Sequence, residues 1–516
     1  MKSFLRNSFA APTSRVATSP KQQRGLQTLW SGVRQYRNTC KASGLGQDCQ
    51  NRCQPSKSLQ RSSERREMKP AQRDLHTSTA VNARATIPLD GKEVEISPIL
   101  MRDLCQCPRC VHESSRQRLY STADIPKEIL VRSIESGEHQ NGGINVRWTN
   151  DLPGFDAGHV TSISAETLRQ INSSGTIPSP FQGATPRHQL WSAASANVPD
   201  FTYETYMKDD ATVYEVVKQL KSHGLVFITG CPGVEASVAE VGERIGPVRD
   251  TLYGRTWDVR TVPKAINAAY TSGDLGFHTD LLYFQDPPHL QLLHCIQSSS
   301  KGGASVFADG FRAALDLYDT DRDAFNVLLN TPVNYHYEHP GANLYMATKP
   351  VFQTRPLRIG TTTYETLSEF LESWEARRQV VNKTHGTNVP ALTVGDCLEK
   401  ITWGPPFLAP CSLDPQSMEQ TQHLNSSSCE EALNDKMDLW HSAAAKFNAF
   451  LSHPDGLHER LMKPGECVIF DNTRVLHSRR AFDSEDVGKA RWLRGTYVDR
   501  DPYHSKMRVL RHKFGT

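Results

Sequence analysis

The chain has 516 residues, room for two or three domains at roughly 150 residues each. Hydrophobic residues make up 38% and charged residues 22%, enough to bury a core, and no apolar run approaches the roughly 18 residues that cross a bilayer. The net charge of +3 conceals an asymmetry: residues 1–85 hold 16 Lys/Arg against 4 Asp/Glu, and the other 431 hold 43 against 52, so the acidic body speaks against a nucleic-acid surface.

Residues 1–85 are rich in Ser, Arg and Gln, and a single acidic residue, Asp48, precedes Glu64. The opening MKSFLRNSFAAPTSRVATS has the Arg-rich, Ser-rich, acid-poor makeup of a mitochondrial transit peptide, so a matrix location is expected. A disordered tail without an address is the alternative. Residues 86–170 begin with short alternating strands and are expected to form a small domain. The Ser/Pro/Gly-rich stretch 171–199 is expected to be a linker. A larger domain is expected over 200–516. Val213, Val216, Val217 and Leu220 form a helix stripe closed by Gly224, LVFI follows as a buried strand, and SVAEVGERIGP is a short helix. LQLLHCI (290–296) and SVFADG (305–310) are strand-like, and GECVIFDNTRVLHSRRAF holds a strand running into a bend. Residues 350–440 carry weak patterns and receive no assignment. Many short strands favour a barrel or jelly roll decorated by helices.

Twelve cysteines in 516 residues do not make a disulfide scaffold, but Cys105, Cys107 and Cys110 form a C-x-C-x2-C cluster. Three thiolates so close favour a shared metal, with a fourth ligand completing a closed tetrahedral zinc site; free buried thiols are the alternative. His278 and Asp280, in GFHTDLLYFQDPP, are two apart, which at a strand end turns both side chains to one metal. Two His and one carboxylate on one face of Fe(II) leave positions open for a cosubstrate and O2. The pair alone is weak, because His453/Asp455 and His336/Glu338 have the same spacing. Its sequel sets it apart: FDNTRVLHSRRAF supplies His477, and 14 residues later ARWLRGTYV supplies Arg491, able to grip a carboxylate.

With these residues in hand, the stretch from about 200 to 512 resembles the Fe(II)/2-oxoglutarate dioxygenases of the taurine dioxygenase type, and within them the carnitine-biosynthesis branch of γ-butyrobetaine and trimethyllysine dioxygenases. LYGRTW, NAAYTSGDLGFHTD, PPHLQLLHCI, GGASVFADGF, FDNTRVLHSRR and RGTYVDRD occur in family order. The resemblance implies a mainly β fold with flanking helices, its catalytic core a double-stranded β-helix (jelly roll) behind a small N-terminal zinc-binding domain. It implies iron on His278, Asp280 and His477, and 2-oxoglutarate on Arg491 and Ser305. It implies a trimethylammonium cage of Tyr253, Trp257, Tyr270 and Tyr497, since a quaternary ammonium has no hydrogen to donate and is held by ring faces. Thr473 stands where an aromatic residue is expected and Ser478 where a Gly is expected.

The zinc site's fourth ligand is expected to be His159 rather than His112. The backbone would have to double back after Cys110 to use His112, whereas HVTSISAETL resembles the family's amino-terminal domain, where a His closes the site. The expected cofactors are Fe(II), 2-oxoglutarate, O2, ascorbate as reductant and a structural Zn(II). The partner is a small quaternary-ammonium substrate, and the family suggests a homodimer. Asn267 lies where the branch sorts substrate head groups. An amide there donates to a bare carboxylate, which favours γ-butyrobetaine hydroxylation to L-carnitine. YFQDPP looks more like the trimethyllysine enzyme, which stays open, and ITWGPPF (401–407) does not clearly supply the second amide contact expected of it. A metal-stabilised binding protein with a dead barrel is disfavoured, since a degenerate copy is expected to lose at least one ligand.

Overall fold

The computed structural model describes residues 84–136, 143–175, 177, 186–196, 198–260, 272–298, 301–385, 388–413, 428–482 and 491–515. Asn267 and Tyr270, and the transit peptide expected over 1–85 save its last two residues, lie outside these.

Residues 84–175 have a core of their own. β1 (Ala85–Leu89) and β2 (Lys92–Ile96) pair antiparallel around Asp90 and Gly91, both at positive φ (50° and 78°), the Asp-Gly turn that a two-residue hairpin favours. A short helix, Pro98–Asp103, starts with proline in its first turn, where no amide is missed. β3 (Val131–Ser136), β4 (Ile144–Trp148) and β5 (Val160–Ile163) make an antiparallel sheet. The helix Ala165–Ser174 follows, capped by the Ser164 hydroxyl. Ile87, Met101, Val146, Trp148 and Leu168 close the core between them.

The larger part is built on β6 (Asp200–Thr202), β7 (Leu225–Thr229), β8 (Trp257–Arg260), β9 (Leu275–His278), β10 (Leu290–Gln297) and β11 (Ser305–Asp309). The hairpin β12 (Val333–His339) and β13 (Asn343–Lys349) comes next, then the short β14 (Phe352–Thr354), β15 (Arg358–Ile359), β16 (Thr362–Thr363) and β17 (Leu398–Ile401). The last strands are β18 (Leu457–Arg460), β19 (Cys467–Asp471), β20 (Val475–Arg479) and β21 (Trp492–Val498). They form a six-stranded sheet, β6-β7-β19-β10-β21-β8, and a four-stranded sheet, β18-β11-β20-β9. All these pairings are antiparallel except β6 with β7.

Side chains from both sheets share one core: Phe227, Leu293, Val468, Phe470 and Leu493 from the first, Phe307 and Val475 from the second. The two sheets therefore face each other. Strand alternation decides which residues look inward. On β10, Leu290 and Leu292 pack outward under the helices Asp210–Ser222 and Arg500–Phe514, while Leu293 and Cys295 join the inner core. The helix Asp210–Ser222 buries the expected Val213, Val216, Val217 and Leu220, and Gly224 follows it at φ 77°.

One expectation changes, and one unassigned stretch takes on structure. The stretch 171–199 is not a linker throughout. Trp191 is buried in the inner core, and its indole donates to the carbonyl of His223 while its amide donates to Asp309. Small polar neighbours hide this anchor. Residues 350–440 hold the helix Leu367–His385 and the first half of Cys429–Leu451, and buried Phe370, Trp440 and, later in the second helix, Phe447 pack in the cluster that covers the β12–β13 hairpin.

Candidate active site

His278 ends β9 and His477 lies in the middle of β20, and the two are register partners across the four-stranded sheet. Their rings lie 4.2 Å apart. Asp280, two residues past His278, brings Oδ1 to 3.3 Å from His278 Nε2 and 3.8 Å from His477 Nε2. One ligand atom from each of the three lies within 4.8 Å of the other two. His278 Nδ1 sits 2.9 Å from the carbonyl of Gly276, which holds the proton there and leaves the Nε2 lone pair facing inward. Burial, and then the neighbouring His278, depress His477 to about 3, so its imidazole is neutral at pH 7. Burial opposes ionisation of Asp280, but its close partners, the His278 and His477 rings and the Tyr497 hydroxyl, together hold its carboxyl below the usual range. Two histidine side chains and a carboxylate in this arrangement are the donor set of a non-haem Fe(II) site.

The rival pairs are far more open. His453 and Asp455 are 62% and 90% exposed at their side chains, and His336 and Glu338 are 35% and 59% exposed.

A cavity opens beside the triad. Arg491 and Ser305 line it, and so do Tyr253, Trp257 and Tyr497. Arg491 is 6% exposed; its Nε donates to the carbonyl of Gly303 at 3.1 Å and its Nη2 to Ser305 Oγ at 3.4 Å. Among the described residues no carboxylate pairs with it. Burial, reinforced by the charge of Arg479, lowers its guanidinium to about 10, still protonated at neutral pH. A buried cation without a counter-ion is costly, and an incoming carboxylate would relieve that cost.

Trp257 stacks on Tyr497 at 4.1 Å and lies 6.3 Å from Tyr253. The Tyr497 hydroxyl is also committed: it donates to Asp280 Oδ2 at 2.7 Å. Sequence reading missed Tyr283, Gln291, Phe407 and Arg479, which line the same cavity. Tyr283 reaches it because Leu281 turns the chain at φ 55° and Lys349 donates to the carbonyls of Leu282 and Phe284. Its hydroxyl lies 3.0 Å from that of Tyr253. Nothing in the local pattern announces that turn.

The amino-terminal cluster is equally well defined. Sγ of Cys105, Cys107 and Cys110 each lie 3.5 Å from His159 Nε2. Tetrahedral zinc, with bonds of about 2.3 Å to sulfur and 2.0 Å to nitrogen, separates such ligands by about 3.5 Å. His159 Nδ1 is held 2.6 Å from Asp151 Oδ2, Asp151 takes Arg102 Nε at 2.5 Å on its other oxygen, and Arg102 Nη1 reaches Cys110 Sγ at 3.4 Å. Burial first, then the neighbouring Cys105, push the Cys110 thiol up to about 12, so a metal must displace its proton to bind. His112 instead accepts from the amide of Ser115 in an exposed turn.

Residues 183–497 match the family model described as taurine catabolism dioxygenase TauD, TfdA family, and residues 88–169 match gamma-butyrobetaine hydroxylase-like, N-terminal. Dioxygenase str8 of Strobilurus tenacellus is 31% identical over 425 residues, spanning 80% of this chain and 84% of that protein. Gamma-butyrobetaine dioxygenase of Homo sapiens is 26% identical over 428 residues, 82% of this chain and 93% of that one. Trimethyllysine dioxygenase, mitochondrial, of Bos taurus is 24% identical over 418 residues, 80% and 82% of the two chains. A solved asparagine oxygenase with Fe(II), hydroxyasparagine and succinate aligns over 58% of this chain and 93% of its own, with 15% identity and a TM-score of 0.35. The chain thus belongs to the taurine catabolism dioxygenase TauD, TfdA family, and it is an oxidoreductase of the 2-oxoglutarate-dependent dioxygenase type.

Proposed function

We propose that the protein hydroxylates γ-butyrobetaine to L-carnitine, with Fe(II) on His278, Asp280 and His477 and with ascorbate keeping the iron reduced. The observation that carries this reading is that the metal-type triad, a buried guanidinium with no carboxylate partner among the described residues and a set of aromatic rings line one cavity. We read the two facing sheets as the double-stranded β-helix of this family. Bound there, iron would supply the activation of O2 that couples decarboxylation of 2-oxoglutarate, to succinate and CO2, with hydroxylation of the substrate.

The chain's own part is placement. Arg491 grips the far carboxylate of 2-oxoglutarate, with Ser305 beside it. Tyr253 and Trp257 offer ring faces to the trimethylammonium group, and Asn267 and Tyr270 complete the reading from outside the described residues. Relatives named gamma-butyrobetaine dioxygenase, at 26–27% identity, support the substrate. A second reading, trimethyllysine hydroxylation, is favoured by Phe407: an apolar ring of the 401–407 segment faces the cavity where an amide contact was expected. The deciding experiment offers both substrates in parallel with Fe(II), ascorbate and 2-oxoglutarate, and follows succinate and a hydroxylated product by mass spectrometry. Product from trimethyllysine alone makes the second reading the correct one; succinate from neither substrate removes both.

Trp257→Ala is expected to raise KM for the quaternary-ammonium substrate by about 5- to 30-fold, the equivalent of ~1–2 kcal/mol for one ring face, with a smaller change in KM for 2-oxoglutarate. Equal changes for the two would mean that Trp257 supports the pocket without touching the ammonium.

We also assign zinc to Cys105, Cys107, Cys110 and His159, as a closed structural site. Cys107→Ser is expected to lose one zinc per chain by metal analysis and to melt earlier, because binding energy at such a site is folding energy. Zinc content equal to wild type would refute the assignment. For the basic N-terminal stretch we propose import into the mitochondrial matrix, testable by cell fractionation.

A further inference from the structure

Asp280 has two carboxylate oxygens, and its surroundings treat them differently. Oδ1 faces the two imidazoles. Oδ2 accepts two short hydrogen bonds, from the Tyr497 hydroxyl at 2.7 Å and from Gln291 Nε2 at 2.6 Å. Gln291 and Tyr497 are direct register partners on neighbouring strands β10 and β21, so their side chains leave the sheet on the same face and at the same level. The main chain of Asp280 is fixed as well. Asn472, 1% exposed, accepts from the Asp280 amide at 2.8 Å and donates to the Asp280 carbonyl at 3.1 Å.

Gln291 is an odd residue for its place. It lies on the inward row of β10 with Leu293 and Cys295, is 2% exposed, and among the described residues its Oε1 has no partner. An apolar side chain would fill that position without an orphaned acceptor, which is a real cost in a buried site. What the amide does gain is a donor aimed at one oxygen of one carboxylate.

We propose that Gln291 and the Tyr497 hydroxyl are positioning residues that occupy Oδ2 and so present Asp280 to the metal through Oδ1 alone, with Asn472 holding the main chain in place. This rests on the iron reading of the triad. It also gives Tyr497 two duties: its ring backs Trp257 at 4.1 Å, and its hydroxyl steadies the metal carboxylate.

The test is Co(II) titration of the protein with its cysteine site loaded with zinc beforehand, followed by the visible absorption of the bound ion. Gln291→Leu and Tyr497→Phe are each expected to bind Co(II) about 10- to 100-fold more weakly than wild type, the usual range for loss of a partner behind a metal ligand. The melting temperature of the zinc-loaded protein before Co(II) is added should stay near that of wild type. Tyr497→Phe keeps its ring, so KM for the quaternary-ammonium substrate should hold while kcat falls. Co(II) affinities within about twofold of wild type in both variants would overturn the proposal. Binding that is absent in wild type, or undiminished in His477→Ala, would overturn the iron reading itself, so the two failures are distinguishable.

Discussion

Asp280→Ala is expected to lower turnover of 2-oxoglutarate by about 10³-fold or more, equivalent to about 4 kcal/mol of lost transition-state stabilisation. The substitution leaves His278 and His477 as the remaining protein donors, and it removes the carboxylate from the set. The fold should survive. Asp280 lies just past the end of β9, and its main-chain partners reside on Asn472, which the substitution does not touch. The damage should therefore appear in metal affinity and in turnover, with little change in melting. His453→Ala, at an exposed pair with the same spacing, should keep most of the activity. Steady-state succinate formation with saturating Fe(II) is the measurement. Asp280→Ala activity within tenfold of wild type would mean that the carboxylate is not a ligand.

The clustering of His278, Asp280 and His477 was legible because a metal site of the expected kind needs residue types that a strand displays at fixed intervals. His278 and Asp280 are two apart, and only the extended backbone brings such a pair to one side. His477 was legible as a histidine on a late strand, but its pairing with His278 depends on sheet order, which no local pattern carries. Gln291 illustrates the loss. The alternation of LQLLHCI places it on the row of Leu293, yet whether that row faces the core or the helices depends on which sheet covers it. Tyr283 was hidden by the turn at Leu281. The helix Leu367–His385 was missed for another reason: Phe370 is buried, but Val380 is 64% exposed, so its apolar residues do not trace one stripe. Trp191 was lost among serines and alanines, and the acceptor of its amide, Asp309, lies more than a hundred residues away in the chain.

Asp309 and its ion-pair partner Arg474 carry the largest stability effect expected outside the two candidate metal clusters. Arg474 and Asp309 form an ion pair with both side chains 1% exposed. The guanidinium donates from Nε and Nη2 to the two carboxylate oxygens at 3.0 and 2.8 Å, and it also reaches the carbonyls of Ser222 and Gln189 at 2.6 and 2.7 Å. Asp309 accepts the amides of Trp191 and Phe311, so it caps the helix Gly310–Thr320 as well. The pair thus fastens four pieces of chain: the Trp191 segment, the end of helix Asp210–Ser222, the end of β11 and the turn after β19. Asp309→Ala should cost about 3–5 kcal/mol, because it strands a buried cation, and the lost cap should add about 1 kcal/mol. Urea unfolding of the zinc-loaded protein reads this as a shift in midpoint at constant slope. If Asp309→Ala does not fold, Asp309→Asn keeps the cap and one acceptor and should fall between it and wild type. The double variant Asp309→Ala/Arg474→Met should recover part of the loss, since no charge is then stranded. It should not recover all of it, since the amides of Trp191 and Phe311 still lack their acceptor. A cost below about 1 kcal/mol for Asp309→Ala would mean that water reaches Arg474 and that the Trp191 segment is held by its indole alone.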